Sequence, residues 1–193
     1  KEKIILTITG GAHLSVHALM LALPSLIPIF MSEFNIGIDV LGVVVTISAF
    51  MFGIGAIPSG WLESKIGGKT LLILYLFGSS FSAILVSISN SFYLLVFGLG
   101  LLGLSSSIYH PAGLTLISNR VHHITKGMAV HGVFGSTGSA IGPILATTLA
   151  LFISWRASYA TLGLFNCALG IASIFLIPSR NKAKDIEIID NKK

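Results

Sequence analysis

The stretch Gly60-Trp61-Leu62-Glu63-Ser64-Lys65-Ile66-Gly67-Gly68-Lys69 is a charged, glycine-containing segment that connects the end of one long apolar run to the start of another. The runs, residues 40–61 and 70–88, contain no Asp, Glu, Lys or Arg. Each is about 20 residues long, the length of helix that crosses the hydrocarbon core of a bilayer. Glycine tolerates the positive φ that a tight turn requires. The pattern therefore predicts two membrane helices joined by a short, positively charged loop.

The rest of the chain is equally apolar. Of its 193 residues 53% are hydrophobic and only 10% are charged, whereas soluble domains carry roughly 25% charged residues. The mean hydropathy is +0.91. So few charges cannot cover a water-soluble globule of this size, which argues against a soluble enzyme, a disordered chain and a nucleic-acid-binding domain. Lipid is the expected solvent.

Six stretches without Asp, Glu, Lys or Arg are long enough to span a membrane. They cover residues 4–30, 40–61, 70–88, 92–117, 128–153 and 158–177. We therefore predict an all-α integral membrane protein in the cell membrane. Residues 1–178 are expected to form a six-helix transmembrane bundle, and the charged residues 179–193 a cytosolic linker or tail.

The basic residues are divided unevenly between the two sides of this predicted bundle. Eleven of the twelve Lys and Arg residues fall on the side that holds both termini and the segment 60–69, and only Arg156 falls on the other. Because Lys and Arg concentrate in cytoplasmic loops, both termini are expected in the cytoplasm.

Six spans with both ends on one side divide into three plus three. Proline breaks at corresponding places in two three-helix halves are typical of inverted-repeat transporters. The first span carries Pro24 and Pro28, and the fourth carries Pro111. We therefore expect a 3+3 inverted repeat.

The segment 60–69 resembles the signature loop of the major facilitator superfamily, G-x-L-a-D-[RK]-x-G-[RK]-[RK]. The matching residues are Gly60, Leu62, Lys65, Gly67 and Lys69. Ser64 replaces the Asp of the family, and Glu63 offers a carboxylate one position earlier. The resemblance implies that Gly60, Glu63, Lys65, Gly67 and Lys69 form a conformational-gating loop, in which charge-assisted hydrogen bonds hold two helix ends together. The alternative is a generic positively charged loop.

The fifth span contains Gly138-x-x-x-Gly142-Pro143, which resembles an element of the superfamily that is often associated with antiporters. Small residues four apart let helix backbones approach closely. Ala146 and Thr147 stand where the full element has glycine, so a plain helix-packing face is the alternative.

The run 105–113, together with His13, is most similar to the branch that includes fosmidomycin-resistance-type efflux proteins. The resemblance implies the amino-terminal six-helix half of a secondary transporter that moves a small solute by alternating access. Proton-coupled efflux is favoured, with uptake of a small organic anion or other metabolite, or a non-transporting membrane partner protein, as alternatives. The second six-helix half would come from the same polypeptide, a homodimer or a separate chain. No cofactor and no catalysis are expected.

Histidine is the one charged or basic residue type inside the spans, at His13, His17, His110 and His131. An ionisable residue at membrane depth is a candidate functional site because its burial is costly. The resemblance implies that the first and fourth spans line the central cavity, so these histidines and Tyr109 are predicted to form the substrate and proton pathway. The alternative is that they are neutral histidines hydrogen-bonded between helices.

Two further expectations concern the same histidines. With no carboxylate in any span, proton linkage in this half falls on a histidine, and His17 is the first candidate because it shares a helix face with His13. A metal site is not expected, since no carboxylate or thiol is available at that depth to complete it.

The charge asymmetry yields a first prediction, on topology. In a Cys167→Ala background, a cysteine introduced by Lys65→Cys should not react with an impermeant thiol reagent added outside intact cells, and should react once the membrane is opened. Arg156→Cys is the matched control and should react from outside. The reverse pattern would contradict the predicted orientation.

Overall fold

A computed structural model of the chain describes residues 2–178. Lys1 and the predicted tail, residues 179–193, lie outside the described residues, and with them six of the basic residues counted above. The described part of the chain is helical and contains no strand, so the prediction of an all-α protein is confirmed there.

Seven helices follow one another along the described residues. They are α1 (Glu2–Ser25), α2 (Ile27–Phe34), α3 (Ile38–Ser87), α4 (Phe92–Ser106), α5 (Tyr109–Arg120), α6 (Ile124–Phe152) and α7 (Trp155–Leu176). Five segments are long and apolar enough to cross a membrane: α1, α3, α4 continued by α5, α6 and α7.

Helix α3 is 50 residues long, which at 1.5 Å per residue would be about 75 Å if it were straight. That is more than twice the roughly 30 Å of a hydrocarbon core. The helix is interrupted at Gly67, where φ is 79° and ψ is 158°, a backbone conformation that is essentially restricted to glycine. We call residues 38–66 the first arm of α3 and residues 68–87 its second arm.

The contacts of α4 show that the two arms run in opposite directions. Along the first arm, Ser48 contacts Leu99 and Gly55 contacts Ser107. Residue numbers therefore increase in the same direction on both helices, so the first arm runs parallel to α4. Along the second arm, Val86 contacts Gly98 and Gly78 contacts Ser105. Residue numbers increase on one helix as they decrease on the other, so the second arm runs antiparallel to α4. The chain therefore turns back at a single residue, Gly67, and the five segments become six membrane-length helical passages.

Two of these passages are broken near prolines. The break between α1 and α2 lies at Leu26, with Pro28 in the first turn of α2, and the break between α4 and α5 precedes Pro111 in the first turn of α5. The missing N–H of proline costs nothing in a first turn, because that N–H has no partner within the helix.

Polar side chains tie the second arm of α3 and α7 to α1. The Asn166 side chain, which is fully buried, accepts a hydrogen bond from the Ser15 hydroxyl and donates one of 2.7 Å to Ser79 Oγ. The Tyr75 hydroxyl donates to the backbone oxygen of Ala12 at 3.2 Å. A buried amide needs partners for both its donor and its acceptor, so this network fixes the three helices in one register.

The end of the bundle opposite Gly67 is held by Arg156. Its guanidinium forms an ion pair with Glu33 at 2.9 Å, donates to the backbone oxygen of Ser89 at 2.9 Å, and lies 4.2 Å from the centre of the Trp155 ring. One side chain thus connects the end of α2, the connection before α4 and the start of α7.

The turn at Gly67 yields the second prediction. Gly67→Ala should lower the free energy of unfolding by about 1–3 kcal/mol, because alanine is strained at this φ and ψ. Gly60→Ala is the matched control: nothing lies within 4 Å of its added Cβ, so the change should be neutral or stabilising by up to about 1 kcal/mol. Thermal unfolding of the purified variants in detergent measures both, and equal destabilisation would contradict the role of the turn.

Candidate functional site

Four histidines from three helices meet inside the bundle. We call His13 and His17 of α1, His110 of α5 and His131 of α6 the histidine cluster. The His13 ring stacks on His131 with 3.8 Å between centroids, and its centroid lies 4.8 Å from that of His17 and 5.3 Å from that of His110. The chain thus brings together side chains that are separated by up to 118 positions in the sequence.

The backbone of α6 orients the His13 ring. Its Nδ1 lies 2.8 Å from the backbone oxygen of His131. Because a carbonyl oxygen only accepts, Nδ1 of His13 carries the proton, and Nε2 of the neutral ring is left with a free lone pair. The hydrogen bond therefore selects one tautomer of His13.

Tyr109 orients the His131 ring in a similar way. Its hydroxyl is fully buried and donates to the backbone oxygen of Thr9 at 2.6 Å. The same hydroxyl oxygen lies 3.2 Å from Nδ1 of His131. Since the only hydroxyl proton goes to Thr9, Nδ1–H of His131 is the donor to Tyr109, and Nε2 of His131 also keeps a free lone pair.

His17 and His110 complete the cluster on its more open side. Nε2 of His17 lies 3.1 Å from Nε2 of His13, and since the latter is an acceptor, His17 is the donor. His13 and His131 are 7% and 6% exposed, whereas His17 and His110 are half-buried. The cluster therefore has a closed side, at His13 and His131, and a more accessible side, at His17 and His110.

The ring nitrogens of three members could hold a metal ion. One nitrogen each from His13, His110 and His131 lies within 4.8 Å of the others. Within residues 2–178 no carboxylate and no thiol belongs to this group, so the donors are imidazoles alone.

Three residues of the site were not singled out from the sequence. Thr9 supplies the oxygen that fixes Tyr109, Phe52 of the first arm of α3 lies edge-on to His110 with 6.1 Å between centroids, and Gly135 packs on His13. A Cβ on Gly135 would overlap the His13 imidazole. Such contacts across helices leave no local pattern in the sequence, although Gly135 lies three residues before the Gly138 motif.

The predicted antiporter-like residues lie beside the cluster without lining it. Gly138 packs on the backbone of Leu14, and Gly142 on Ala18, one turn further along both helices. Pro143 follows within α6. These glycines allow α6 to approach α1 closely, and that approach stacks His131 on His13.

No side chain of the predicted gating loop is hydrogen-bonded or stacked to the histidine cluster within residues 2–178. Lys69 Nζ donates to the backbone oxygen of Ile174 in α7 at 3.0 Å, and Lys65 lies over the Trp61 ring at 5.7 Å. A Cβ at Gly68 would meet the backbone oxygen of Ala112 at 3.1 Å. Glu63 and Arg120 line the same small pocket, but within residues 2–178 Glu63 forms no ion pair. The contacts that join this loop to neighbouring helices come from Lys69 and Gly68.

Comparison with known proteins identifies the family. Residues 8–190 match the Major Facilitator Superfamily, and the chain belongs to it, so the resemblance noted in the sequence is confirmed. The chain is a multi-pass protein of the cell membrane.

Similar proteins agree with this assignment. The inner membrane transport protein YnfM of Escherichia coli is 25% identical over 170 residues, covering 87% of this chain and 41% of that protein. The quinolone resistance protein NorB of Staphylococcus aureus is 25% identical over 175 residues, covering 89% of this chain and 36% of that protein. This chain thus spans less than half the length of each.

A solved structure shares the fold. It is a bacterial homologue of the human drug peptide transporters PepT1 and PepT2, with a TM-score of 0.75 and 15% identity. The match covers 100% of this chain and 47% of that one, so the chain corresponds in extent to about half of that structure.

The contact between α1 and α6 yields the third prediction. Gly138→Ala should destabilise the bundle by about 1–3 kcal/mol, because its Cβ has no space against the Leu14 backbone. Gly132→Ala, on the same helix, is the matched control: nothing lies within 4 Å of its Cβ, and we expect no loss. Unfolding in detergent distinguishes the two, and an unaffected Gly138→Ala would remove the packing assignment.

Proposed function

We propose that this chain is the amino-terminal six-helix half of a secondary active transporter. It moves a small solute across the cell membrane by alternating access, together with a second six-helix half. The observation that carries this proposal is the histidine cluster, a group of polar rings from α1, α5 and α6 in the interior of an apolar bundle. Polar groups at this depth are costly and are typical of solute or ion pathways.

The surface of the bundle supports the presence of a second half. His17 and His110 are half-buried within this chain, so the cluster is incomplete on one side. Large apolar side chains also lie exposed on the first arm of α3 and on α6, among them Phe50, Ile57 and Ile144 at 60%, 79% and 64%. Lipid and a second bundle are the surroundings that suit such a surface.

A 3+3 inverted repeat with both termini in the cytoplasm is part of the proposal. Its support is a pair of similar contacts: α6 packs parallel to α1 through Gly138 on Leu14, and α4 packs parallel to the first arm of α3 through Gly103 on Ser48. In a repeat of three helices these two pairs correspond to each other. The breaks before α2 and before α5 also fall in corresponding passages, the first and the fourth.

Efflux in exchange for protons is the mode we favour. Its support is the Gly138-x-x-x-Gly142-Pro143 motif with its antiporter-like pattern, and the name of the similar protein NorB, which ascribes quinolone resistance to that relative. Uptake of a small organic anion or other metabolite is the alternative. A membrane protein that packs against a partner without transporting anything would leave the convergence of the four histidines without a role.

The fourth prediction tests transport directly. The full native protein, including any second half, is reconstituted in vesicles and assayed for accumulation of labelled quinolones and small organic anions. Accumulation should follow an imposed pH gradient, and counterflow should persist without one. Gly142→Leu should remain inserted and lose both activities, because its side chain would collide with Ala18. Gly132→Ala should keep them.

Two outcomes would contradict parts of this proposal. A wild-type protein that is folded and inserted but exchanges no solute of either class would contradict transport of those classes. Full transport by Gly142→Leu would show that the close contact between α1 and α6 is not part of the transport cycle.

A further inference from the structure

We propose that His13, His110 and His131 bind a divalent transition-metal cation, and that this ion is the solute that the protein carries. The second part rests on the proposed transport function, whereas the binding site stands on the geometry alone. One ring nitrogen from each of the three histidines lies within 4.8 Å of the others. Three imidazoles with a fourth position open form a known type of zinc site.

The hydrogen bonds of the cluster present the right atoms. A metal-binding histidine generally donates its other ring N–H to a carbonyl or another acceptor, which fixes the tautomer and aims the free nitrogen. His13 donates Nδ1–H to the backbone oxygen of His131, and His131 donates Nδ1–H to the Tyr109 hydroxyl. Nε2 of both rings therefore carries no proton, as a metal ligand requires. Nε2 of His13 accepts the hydrogen bond from Nε2 of His17, and an incoming ion would displace that bond.

His110 is the member that can move to complete the site. Nitrogen ligands at about 2.0–2.1 Å from a tetrahedral ion are about 3.4 Å apart, so the nitrogens must close in from their present separation. The His110 side chain forms no hydrogen bond within residues 2–178, and it is half-buried. Its ring can therefore rotate toward His13 and His131 without breaking a hydrogen bond, and the rotation would change only ring contacts such as the one with Phe52. His17 or water is available for the fourth position.

The donor set also limits which ion fits. Imidazole suits Zn²⁺, Cu²⁺, Ni²⁺ and Fe²⁺, whereas Mg²⁺ and Ca²⁺ require oxygen ligands. The three ligands are neutral and no carboxylate of the described residues joins them, so two positive charges stay uncompensated in this half. Neutral imidazoles attract a dication less strongly than thiolate or carboxylate ligands do, and this weaker attraction suits a transported ion better than a permanent structural one.

Co²⁺ and Zn²⁺ are the probes of binding. The full native protein in detergent should bind Co²⁺ at one site with a tetrahedral visible spectrum, and Zn²⁺ should displace it. His110→Gln and His131→Gln should each weaken binding by more than about tenfold, and Tyr109→Phe, which removes a partner of a ligand, by about tenfold. The matched control is the His122→Gln/His123→Gln double variant, since both residues are exposed and lie outside the cluster.

A gain-of-signal variant keeps the test valid if a ligand variant fails to fold. His110→Cys replaces one ligand by another, so it should retain Co²⁺ and add the intense near-ultraviolet absorption of a cobalt thiolate. No Co²⁺ binding by the wild type, unchanged affinity in His110→Gln and His131→Gln, or loss of binding in the His122→Gln/His123→Gln control alone would overturn the site.

Transport of the ion is tested separately, in vesicles that contain a Zn²⁺-sensitive dye. Zn²⁺ movement that His110→Gln abolishes supports the ion as the solute. Binding at the cluster without Zn²⁺ movement, while another solute is transported, would overturn the ion as solute and leave the proposed transport function intact. Binding without transport of any solute would count against the transport function and against the ion as its solute, but not against the site.

Discussion

The close approach of α1 and α6 is the contact on which the site depends. Gly135, Gly138 and Gly142 recur every three or four residues, so they lie on one face of α6, and that face meets α1 at His13, Leu14 and Ala18. In a membrane, helices associate through tight packing because lipid offers no hydrophobic driving force between them. Because these glycines have no side chains, the two backbones can pack closely, and His13 comes within hydrogen-bond distance of the His131 carbonyl oxygen.

The close packing of α1 and α6 also determines the hydrogen bonds of the histidine cluster. The Tyr109 hydroxyl donates to a carbonyl of α1 and accepts from a ring of α6, so α5 joins the other two helices through one oxygen atom. Any rearrangement that separates α1 from α6 breaks the bond to His13 and unstacks two rings. The tautomers and ring orientations of His13 and His131 are therefore set by the relative position of three helices and not by any one of them.

The sequence predicted the helical class and the family well, because apolar length and the 60–69 motif are local signals. It also indicated that Gly67 makes a turn, although it gave no sign that the helix would continue to within one residue of that glycine. It identified His13, His17, His110 and His131 as candidates from burial cost, and Tyr109 from the family resemblance, without showing which of them touch. The partners Thr9, Phe52 and Gly135 could not be found in this way, because their roles arise from contacts between helices that are distant in the sequence.

The glycines of α6 also differ in how their loss could be repaired. At Gly138 an added Cβ meets the Cα, carbonyl carbon and carbonyl oxygen of Leu14, atoms that every residue type possesses. No second substitution at position 14 can make room, so a genetic suppressor of a Gly138 variant would have to shift a whole helix. At Gly135 the obstacle is the His13 ring, and a smaller residue at position 13 would relieve it. That repair would restore the packing and remove a member of the cluster. Revertants of a Gly135 variant that are selected for folding should therefore include substitutions of His13, whereas revertants selected for activity should keep His13.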